Sequence, residues 1–320
     1  MSNPKVTVIV PCYNAIDYIR ECMESLVHQT LKDIEIIVVD DGSDDGTERV
    51  LDEYARNFDN LIVVHQECIS QANAWNRGLR MATGDYVAEC DADDFCNIQM
   101  YELLYTISDG EADAVRCGFF GVFPDGSLKK NPPMIRQEHL RVNPHELDPK
   151  DLSVVFGRMH ILPAGIYKRQ FLLGNGIFWR EGGQNYEDTL VEFKIRSTAR
   201  DYRYTNDCLY YYRRGNPNSG TSTLQDEDAI IEQYEAIEDW NNKHGKPEFM
   251  NYMDARRYYD HMWMLQRIPE DDRKVEFLTK MMYAFRKHPA RREYFNSDED
   301  WRNYCIIKHG AWIETGVMGC

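Results

Sequence analysis

The first 120 residues alternate between short apolar runs and longer amphipathic segments. The apolar runs have the length and β-branched composition of buried strands, and the segments between them repeat apolar residues with the period of a helix. Strands that alternate with helices favour an α/β fold, in which a mostly parallel sheet is flanked by helices. The predicted strands are residues 6–11, 34–40, 61–65, 86–91 and 112–120, and the predicted helices are residues 16–29, 47–58, 71–81 and 98–107.

The pattern changes after the fifth predicted strand. Residues 123–150 are rich in proline and charge and have no clear period, which is typical of a long loop or insertion. Residues 152–223 contain two strand-like runs, "ILPAGIYK" and "CLYYYRR", and residues 224–320 have a helical pattern with aromatic and methionine-rich faces. We therefore predict one domain over residues 1–223, with halves 1–122 and 152–223, followed by a helical C-terminal region.

The composition narrows the classes of function. The chain has 320 residues, 43% of them hydrophobic, which is enough for a large core, and its net charge of −16 argues against general affinity for nucleic acid. No apolar run approaches the roughly 20 residues that span a bilayer, and we expect no signal peptide. Nine cysteines without a CxxC pair favour a reducing compartment over a disulfide scaffold or zinc finger. We therefore expect a cytoplasmic protein.

Polar and acidic clusters lie where three of the predicted strands end. The first strand runs into "PCYNA", the second into "DDGSDDGT" and the fourth into "DADD". In an alternating fold these carboxyl ends share one edge of the sheet, where open parallel sheets bind their ligands. The sequence therefore predicts a binding site at this edge.

This edge lacks both common glycine-rich nucleotide motifs. Neither GxGxxG nor GxxxxGK[ST] follows the first strand, which argues against nicotinamide, flavin and P-loop sites. A nucleotide bound there would need another partner for its diphosphate charge, and a divalent cation held by carboxylates would serve. The cation would also offset the repulsion between Asp91 and Asp93. The alternative is ordinary turn chemistry, in which Ser43, Asp44 or Asp45 caps the second helix.

Two long motifs resemble a known family. "VTVIVPCYNAIDYIRECMESLVHQTLKDIEIIVVDDGSDDGT" and "NRGLRMATGDYVAECDADDF" resemble the first blocks of family 2 glycosyltransferases, the second block ending in the acidic DxD motif. The resemblance is dense over residues 5–120 and thinner over residues 164–222, where "YEDTLVEFK" and "YYYRRGNPNS" are similar to later motifs. It implies a GT-A type, Rossmann-like fold with a nucleotide-binding half and an acceptor half; the helical C-terminal extension rests on the helical pattern alone, because that part of the chain matches no family motif.

The resemblance also implies a reaction. Family members transfer a sugar with inversion from a nucleoside diphosphate sugar, commonly a UDP-sugar, to an acceptor hydroxyl. We expect a glycan or lipid-linked glycan acceptor, a role in bacterial surface polysaccharide synthesis, and Mn²⁺ or Mg²⁺ as cofactor. The expected location is the cytoplasm, and the inner face of the cell membrane is one place within it that the acceptor would allow. Two alternatives stay open: a non-catalytic subunit that binds a nucleotide-sugar or glycan, and a nucleotidyltransferase on a related fold.

By this resemblance, residues at the strand ends would bind the donor. Tyr13 would stack near the base, and Asp41 would accept hydrogen bonds from uracil or ribose. Asp91 would contact the ribose or the water shell of the metal, and Asp93 would be the most direct metal ligand. The full set of expected nucleotide-sugar-binding residues is Pro11, Tyr13, Asn14, Asp41, Asn76, Asp91, Arg213 and Arg214, and the expected metal residues are Asp93 and Asp91.

Inversion also needs a general base on the acceptor side. "NYEDTLVEF" supplies Glu187 and Asp188, and Asp188 matches the position that the family assigns to the base, so we favour it over Glu187. Both carboxylates are also predicted to lie in the first turn of a helix, where the macrodipole favours them. Arg213 and Arg214 would clamp the diphosphate; the alternative is a solvated pair at a strand end.

The sequence departs from the family pattern near the third helix. Trp75 replaces a common arginine and residues 68–70 replace a flexible glycine run, so the identity of the donor stays open. Trp75 is either a core residue or part of the nucleotide wall. Cys90 and Cys96 are expected to be small buried residues, because a hard-cation site prefers oxygen ligands. His160 lacks metal-ligand spacing and is expected to be structural.

The C-terminal helices are expected to pack as a core. The alternative is an interfacial surface that meets a membrane-bound acceptor, because "RKHPARREYF" is a local basic patch suited to anionic lipid. Such a patch would allow peripheral membrane association. A homodimer face formed by the aromatic helices is a further alternative.

Overall fold

The computed structural model describes residues 3–133, 135–156, 161–180, 187–216 and 227–311. The chain forms two compact units. The predicted domain boundary between residues 223 and 224 and the expected structural role of His160 both fall outside the described residues. The first unit comprises Met1–Leu147, Arg158–Gly183 and Thr198–Ser219, and the second comprises Asp148–Gly157, Gln184–Ser197 and Gly220–Cys320.

The described residues of the first unit are built around a ten-stranded sheet. In chain order its strands are β1 Val6–Cys12, β2 Ile34–Asp40, β3 Leu61–His65, β4 Tyr86–Glu89, β5 Phe95–Cys96, β6 Ala114–Val122, β7 Leu128–Asn131, β8 Arg141–Val142, β9 Gly165–Lys168 and β10 Tyr202–Arg213. Their spatial order is β3-β2-β1-β4-β9-β6-β10-β5, with β7 paired to β6 and β8 paired to β10.

Strand direction changes across this sheet. β1 is parallel to β2 and β4, and β2 is parallel to β3. β9 lies antiparallel between β4 and β6, whereas β6 and β10 are parallel to each other. The carboxyl ends of β1, β2 and β4 therefore share one edge, as the alternating pattern predicts. The predicted α/β class, a sheet flanked by helices, is confirmed, and β9 makes the sheet a mixed one.

The helices agree with the predicted pattern in position and differ at some ends. α3 has the predicted bounds and begins after Ser70, whose Oγ accepts a hydrogen bond from the Asn73 N–H at 3.2 Å. α1 begins at Ile19 instead of residue 16, because the chain before it turns toward the loop after β2. In chain order the helices are α1 Ile19–Val27, α2 Thr47–Asn57, α3 Gln71–Met81, α4 Met100–Ser108, α5 Ser153–Phe156, α6 Arg169–Gly174, α7 Glu187–Thr198, α8 Ala229–His244, α9 Pro247–Leu265, α10 Asp271–Lys287 and α11 Asp298–His309.

Part of the predicted loop at residues 123–150 forms sheet. β7 pairs antiparallel with β6 after a turn in which Gly126 has a φ of 81°, and β8 pairs with β10. β7 reads "LKKN" and three of its four residues are exposed, so it lacks the apolar alternation that identifies a strand. The loop prediction is wrong for these two strands.

The core of the first unit lies between the sheet and its helices. Apolar side chains of β1, β2 and β4 pack with those of α1, α2 and α4. Cys90 and Cys96 are buried in this core, as predicted. α3 approaches β1 closely at Gly78, where a Cβ atom would overlap the side chain of Ile9.

The C-terminal part of the second unit is helical, as predicted. Helices α9–α11 and the segment before α11 contribute a cluster of aromatic rings in which Tyr258 and Tyr304 contact each other and both Phe285 and Phe295. These rings support the core interpretation of the aromatic faces. None of the described helices has both the length and the apolar character needed to cross a membrane.

The basic patch of the second unit is partly neutralised within the chain. The guanidinium of Arg292 pairs with the carboxylate of Asp298, and that of Arg291 lies 3.9 Å from the carboxylate of Glu293. Paired cations offer less charge to an anionic lipid surface. Peripheral membrane association stays a prediction.

Candidate active site

The loops after β1 and β2 are joined by reciprocal hydrogen bonds. Asn14 has a φ of 49°, in the left-handed region, and its backbone N–H donates to Ser43 Oγ at 2.9 Å. Its Nδ2 donates to Asp44 Oδ1, and the Asp44 N–H donates back to Asn14 Oδ1, both at 2.9 Å. Asn14 thus fixes the shape of the sheet edge, and its expected contact with the donor stays a prediction.

Asp45 holds the beginning of α2. Its Oδ1 accepts hydrogen bonds from Thr47 Oγ1 at 2.6 Å and from the Thr47 N–H at 3.0 Å, and its Oδ2 accepts one from the Ile16 N–H at 3.1 Å. Desolvation acts to raise the pKa of Asp45, but these bonds outweigh it and the pKa is lowered. The N-cap of α2 is Gly46, so none of the three candidate residues occupies the cap position, and Asp45 is the one that contacts the first residue of the helix.

Asp40 and Asp41 lie at the end of β2 and are both buried. Asp40 Oδ2 pairs with His65 Nδ1 at 2.7 Å, and this hydrogen bond raises the pKa of His65. Asp41 Oδ1 accepts hydrogen bonds from Gln66 Nε2 at 2.7 Å and from the Ile69 N–H at 3.0 Å. Asp41 therefore holds the loop after β3 in place. Its expected contact with the nucleoside stays a prediction.

Pro11 and Tyr13 have opposite environments at the end of β1. Pro11 is buried and lies beyond Ile9, the last residue of β1 that pairs with β4, so its missing N–H removes no bond to that strand. Tyr13 is 55% exposed, which leaves its ring open to a ligand. The expected nucleoside contacts of both residues stay predictions, and Tyr13 has the exposure that such a contact requires.

The acidic loop, residues 91–94, follows β4 on the same edge. Asp91 is partly buried, and its Oδ1 accepts a hydrogen bond from Gln71 Nε2 at 3.3 Å. Asp93 is also partly buried, and its Oδ2 accepts a hydrogen bond from Asn216 Nδ2 at 2.7 Å. Both carboxylates therefore keep contact with solvent at the edge where ligands of such sheets bind.

Asp94 anchors the acidic loop to β10. It is 1% exposed, and its Oδ2 and Oδ1 accept hydrogen bonds from the Tyr210 hydroxyl and the Arg213 N–H, both at 2.7 Å. Burial, followed by the negative charges of Asp91 and Asp93, raises the pKa of Asp94 well above its ordinary value. The Tyr210 hydroxyl in turn accepts a hydrogen bond from the Asp91 N–H at 3.1 Å, so one tyrosine joins both ends of the loop.

Arg213 is engaged by protein groups. Its Nε donates to the backbone oxygen of Asp93 at 2.8 Å, and its side chain pairs with Glu21 Oε2 at 2.6 Å. The guanidinium also lies over the rings of Tyr18 and Phe95, at 5.0 and 5.5 Å. Arg213 therefore braces the acidic loop, and its expected diphosphate contact stays a prediction.

Arg214 differs from its neighbour. Its side chain is exposed, and its guanidinium lies 4.3 Å from the centre of the Tyr212 ring. The paired arginines of the sequence thus have separate environments, one braced within the fold and one solvated. The diphosphate clamp assigned to Arg214 stays a prediction.

Asn76 and Trp75 act inside the first unit. Asn76 is fully buried; its Nδ2 donates to the backbone oxygen of Trp179 at 2.9 Å, and its Oδ1 accepts from the Trp179 N–H at 3.0 Å. Trp75 is 1% exposed and its ring lies 6.0 Å from that of Trp179. Trp75 is therefore a core residue, one of its two alternatives. The expected donor contact of Asn76 stays a prediction.

Asp188 belongs to the second unit. Glu187 begins α7, so both residues lie in the first turn of a helix, as predicted. The Asp188 side chain is solvent-accessible, and its Oδ1 accepts a hydrogen bond from the Thr189 N–H at 2.8 Å. Desolvation by surrounding protein raises the pKa of Asp188, against the opposing effects of that hydrogen bond and of the Arg256 charge. The catalytic roles of Asp188 and Glu187 stay predictions.

Three residues at the candidate site were missed by sequence reasoning: Asp94, Tyr210 and Asn216. Asp94 was visible as the last aspartate of "DADD", but nothing local showed that it is buried. Tyr210 and Asn216 contact the loop from more than 100 residues away in sequence. No periodic or motif signal in one sequence reports such a contact.

The acidic loop fits a divalent cation for which the protein supplies two ligands and the nucleotide and water supply the others. Asp91 and Asp93 offer carboxylate oxygens, which suit Mg²⁺ or Mn²⁺. Within the described ranges, no group of three or more His, Cys, Asp and Glu side chains is arranged to hold a metal ion. A cation bound by two carboxylates would complete its coordination with phosphate oxygens and water, as Mg²⁺ usually does in nucleotide sites.

The comparisons with known proteins identify the family of the chain. The model of glycosyl transferase family 2 matches residues 7–170, which include the acidic loop. An uncharacterized glycosyltransferase of Escherichia coli K12, YibD, is 34% identical over 216 residues, 66% of this chain and 62% of that relative. The matched region thus spans less than two thirds of YibD.

Two solved structures share the fold. TarS residues 1–349 of S. aureus, in complex with UDP-GlcNAc, superimposes with a TM-score of 0.73 at 22% identity, over 89% of this chain and 82% of that one. The mannosyltransferase PcManGT of Pyrobaculum calidifontis, in complex with GDP-Man and Mn²⁺, gives a TM-score of 0.57 at 20% identity, over 89% and 76% of the two chains. With the family match over half of its length, the chain belongs to glycosyl transferase family 2.

Proposed function

We propose that this chain is a metal-dependent, inverting glycosyltransferase. It transfers a sugar from a nucleoside diphosphate sugar, a UDP-sugar, to a hydroxyl of a glycan or lipid-linked glycan. The reaction takes place in the cytoplasm and contributes to surface polysaccharide synthesis. The observation that carries the proposal is the acidic loop, which places two solvent-accessible carboxylates, Asp91 and Asp93, on the edge shared by the ends of β1, β2 and β4. The UDP-GlcNAc complex of TarS and the Mn²⁺ complex of PcManGT support this choice of donor and cation.

The donor's base and ribose would be bound by residues at the ends of β1 and β2. The exposed ring of Tyr13 would stack on the base, since a half-exposed aromatic ring gains free energy when a flat ring covers it. Asp41, fixed by Gln66 and the loop after β3, would accept a hydrogen bond from the nucleoside. The joined loops after β1 and β2 would hold both groups in place before the donor arrives.

Asp91 and Asp93 would hold the divalent cation. When bound, the cation would offset the charge on the diphosphate as it leaves the sugar. Asp94 has both oxygens committed to Tyr210 and Arg213, so its part is to fix the loop. In this proposal Asp91 and Asp93 would bind the cation, and Asp94 would hold the loop in shape.

Asp188 would act as the general base. It would take the proton of the acceptor hydroxyl while that oxygen forms a bond to the anomeric carbon and the bond to the diphosphate breaks. A carboxylate whose pKa is raised is the stronger base, and desolvation raises the pKa of Asp188. Attack from the side opposite the leaving diphosphate inverts the anomeric carbon.

The test is a turnover assay without acceptor. The protein is incubated with a panel of UDP-sugars and Mn²⁺, and released UDP is measured before and after addition of a chelator. We expect slow UDP release from one donor, which the chelator stops. A non-catalytic binding subunit would release no UDP, and a nucleotidyltransferase would instead consume a nucleoside triphosphate and release pyrophosphate; either result would contradict the proposal.

A further inference from the structure

Asn216 contacts the acidic loop from the segment that follows β10. It is 7% exposed, and its Nδ2 donates a hydrogen bond to Asp93 Oδ2 at 2.7 Å. This distance lies at the short end of the ordinary range for an N–H···O hydrogen bond. The bond joins a neutral side chain to the carboxylate that the proposed function assigns to the cation.

The backbone around Asn216 is fixed by its neighbours. The Arg213 N–H donates to Asp94 Oδ1 at 2.7 Å, and the Arg214 N–H donates to the Val122 oxygen at 2.8 Å. Gly215 has a φ of 80°, a conformation that side chains with a Cβ rarely adopt. The chain therefore turns sharply after β10 and delivers Asn216 to the acidic loop.

The other end of the bond is fixed as well. The backbone oxygen of Asp93 accepts a hydrogen bond from Arg213 Nε at 2.8 Å, and the adjacent Asp94 is held at both oxygens. These bonds fix the backbone of Asp93 but do not fix the rotation of its side chain. The hydrogen bond from Asn216 restricts that rotation by holding Oδ2.

The hydrogen-bond donor to Asp93 is a neutral amide, and its lack of charge affects whether a cation can bind there. An arginine or lysine at this place would neutralise the carboxylate and compete with a cation, whereas the amide of Asn216 carries no charge. Within the described part of the chain, no hydrogen bond ends on Oδ1 of Asp93, so that oxygen is the one left toward ligand. Outer partners of this kind orient metal ligands and raise metal affinity.

We propose that Asn216 is a positioning residue: it orients Asp93 so that one carboxylate oxygen binds the divalent cation of the nucleoside diphosphate complex. The inference rests on the proposed function, because it requires that Asp93 bind a cation. In this role Asn216 acts through Asp93 and not on the substrate directly. Its loss should weaken cation binding by about 10- to 100-fold, the usual effect of removing such a partner.

The experiment measures affinity for UDP with and without Mn²⁺ by calorimetry, together with Mn²⁺ binding by electron paramagnetic resonance. Asn216→Ala removes the side chain, and Asn216→Leu keeps its approximate volume without the donor. Asn175→Ala is the control, because Asn175 Nδ2 makes a similar bond, to the Phe171 oxygen at 2.8 Å, elsewhere in the first unit. We expect both Asn216 variants to lose the Mn²⁺-dependent gain in UDP affinity by about 10- to 100-fold, with metal-free UDP affinity unchanged.

The outcomes separate the inference from the proposed function. Wild-type Mn²⁺ affinity in both Asn216 variants would overturn the inference while leaving the function intact. An equal loss of UDP affinity with and without Mn²⁺ would also overturn it, because that result indicates a general loosening of the site. Absence of any Mn²⁺-dependent UDP binding in the wild-type protein would overturn the proposed function, and the inference with it.

Discussion

The two acidic clusters on the sheet edge look alike in sequence and differ in what their carboxylates contact. In the loop after β2, backbone N–H groups donate hydrogen bonds to the carboxylates of Asp40, Asp41 and Asp45. In the acidic loop after β4, a backbone N–H donates to Asp94 in the same way, while the partly exposed Asp91 and Asp93 accept hydrogen bonds from the side-chain amides of Gln71 and Asn216.

This difference shows that the number of carboxylates in a cluster does not set its function. A carboxylate held by several N–H and O–H groups stabilises a loop, and one with an accessible oxygen can bind a cation. The loop after β2 thus shapes the edge, and the proposed function assigns the cation to the acidic loop.

The largest effect should come from a carboxylate outside both clusters. Asp188→Asn should lower sugar transfer by about 10²- to 10⁴-fold, the usual contribution of a general base. Donor affinity should change little, because binding is assigned to the first unit. Steady-state transfer and UDP calorimetry would check both. Asp239→Asn, an exposed aspartate of α8, makes the same charge change and should be neutral. Near-normal transfer by Asp188→Asn would move the role to Glu187 or beyond.

Asp93→Asn should remove most of the Mn²⁺-dependent affinity for UDP. We expect a loss of affinity greater than about 100-fold, because removing a residue that only hydrogen-bonds to a metal ligand already weakens metal binding by about 10- to 100-fold. Calorimetric titration of UDP with Mn²⁺ measures it. Asp59→Asn, an exposed aspartate before β3, is the matched control. Unchanged Mn²⁺ dependence would remove Asp93 from the metal site.

Asp94→Ala should destabilise the fold. The buried Tyr210 hydroxyl and the Arg213 N–H would both lose their acceptor, at a cost of about 2 to 4 kcal/mol in the free energy of unfolding. Urea unfolding of the metal-free protein measures this. A loss within error of wild type would contradict the anchoring role.

Asp94→Asn tests the same anchor through its charge. Because the folded-state pKa of Asp94 is raised, the folded protein binds this proton more tightly than the unfolded chain does. Its contribution to stability therefore falls as pH rises above the ordinary aspartate pKa of about 3.9. The asparagine variant should lose that part of the pH dependence, and a variant with the wild-type slope would argue against a buried, charge-strained carboxylate.

Asp45→Ala removes the hydrogen bonds to Thr47 and Ile16 and should have the smallest effect, of about 1 kcal/mol in the free energy of unfolding, with UDP and Mn²⁺ affinity unchanged. The pKa of Asp45 is lowered in the fold, so its contribution is present at neutral pH and is lost as pH falls below about 4. Stability curves at pH 7 and pH 3 would show the difference shrink. A large loss of nucleotide affinity would break the comparison between the two clusters.

The fold was largely predictable because each strand and helix of its parallel part has its own apolar pattern in the local sequence. β2, β3 and α3 lie where their apolar period places them. The polar strand β7 and the antiparallel insertion of β9 were not predictable, because an exposed strand has no apolar pattern and strand direction depends on distant pairing.

The sequence predicts which loops of the candidate site lie together, because the order of strands and helices determines the edge on which each loop lies. Strand alternation predicted that Asp91 and Asp93 lie on the edge where β1, β2 and β4 end, and the structure has them there. The hydrogen bonds from Arg213 and Asn216 were not predictable, because they join segments about 120 residues apart. Arg213 illustrates the limit: its chemistry suits phosphate and carboxylate equally, and in the fold it pairs with Glu21.

The most direct measurement is a calorimetric titration of UDP into the wild-type protein with and without Mn²⁺. If the acidic loop binds a cation–diphosphate complex, UDP will bind tightly with Mn²⁺ and weakly without it. Equal affinity under both conditions would contradict the assignment of Asp91 and Asp93 to a metal, and with it the proposed metal-dependent transfer.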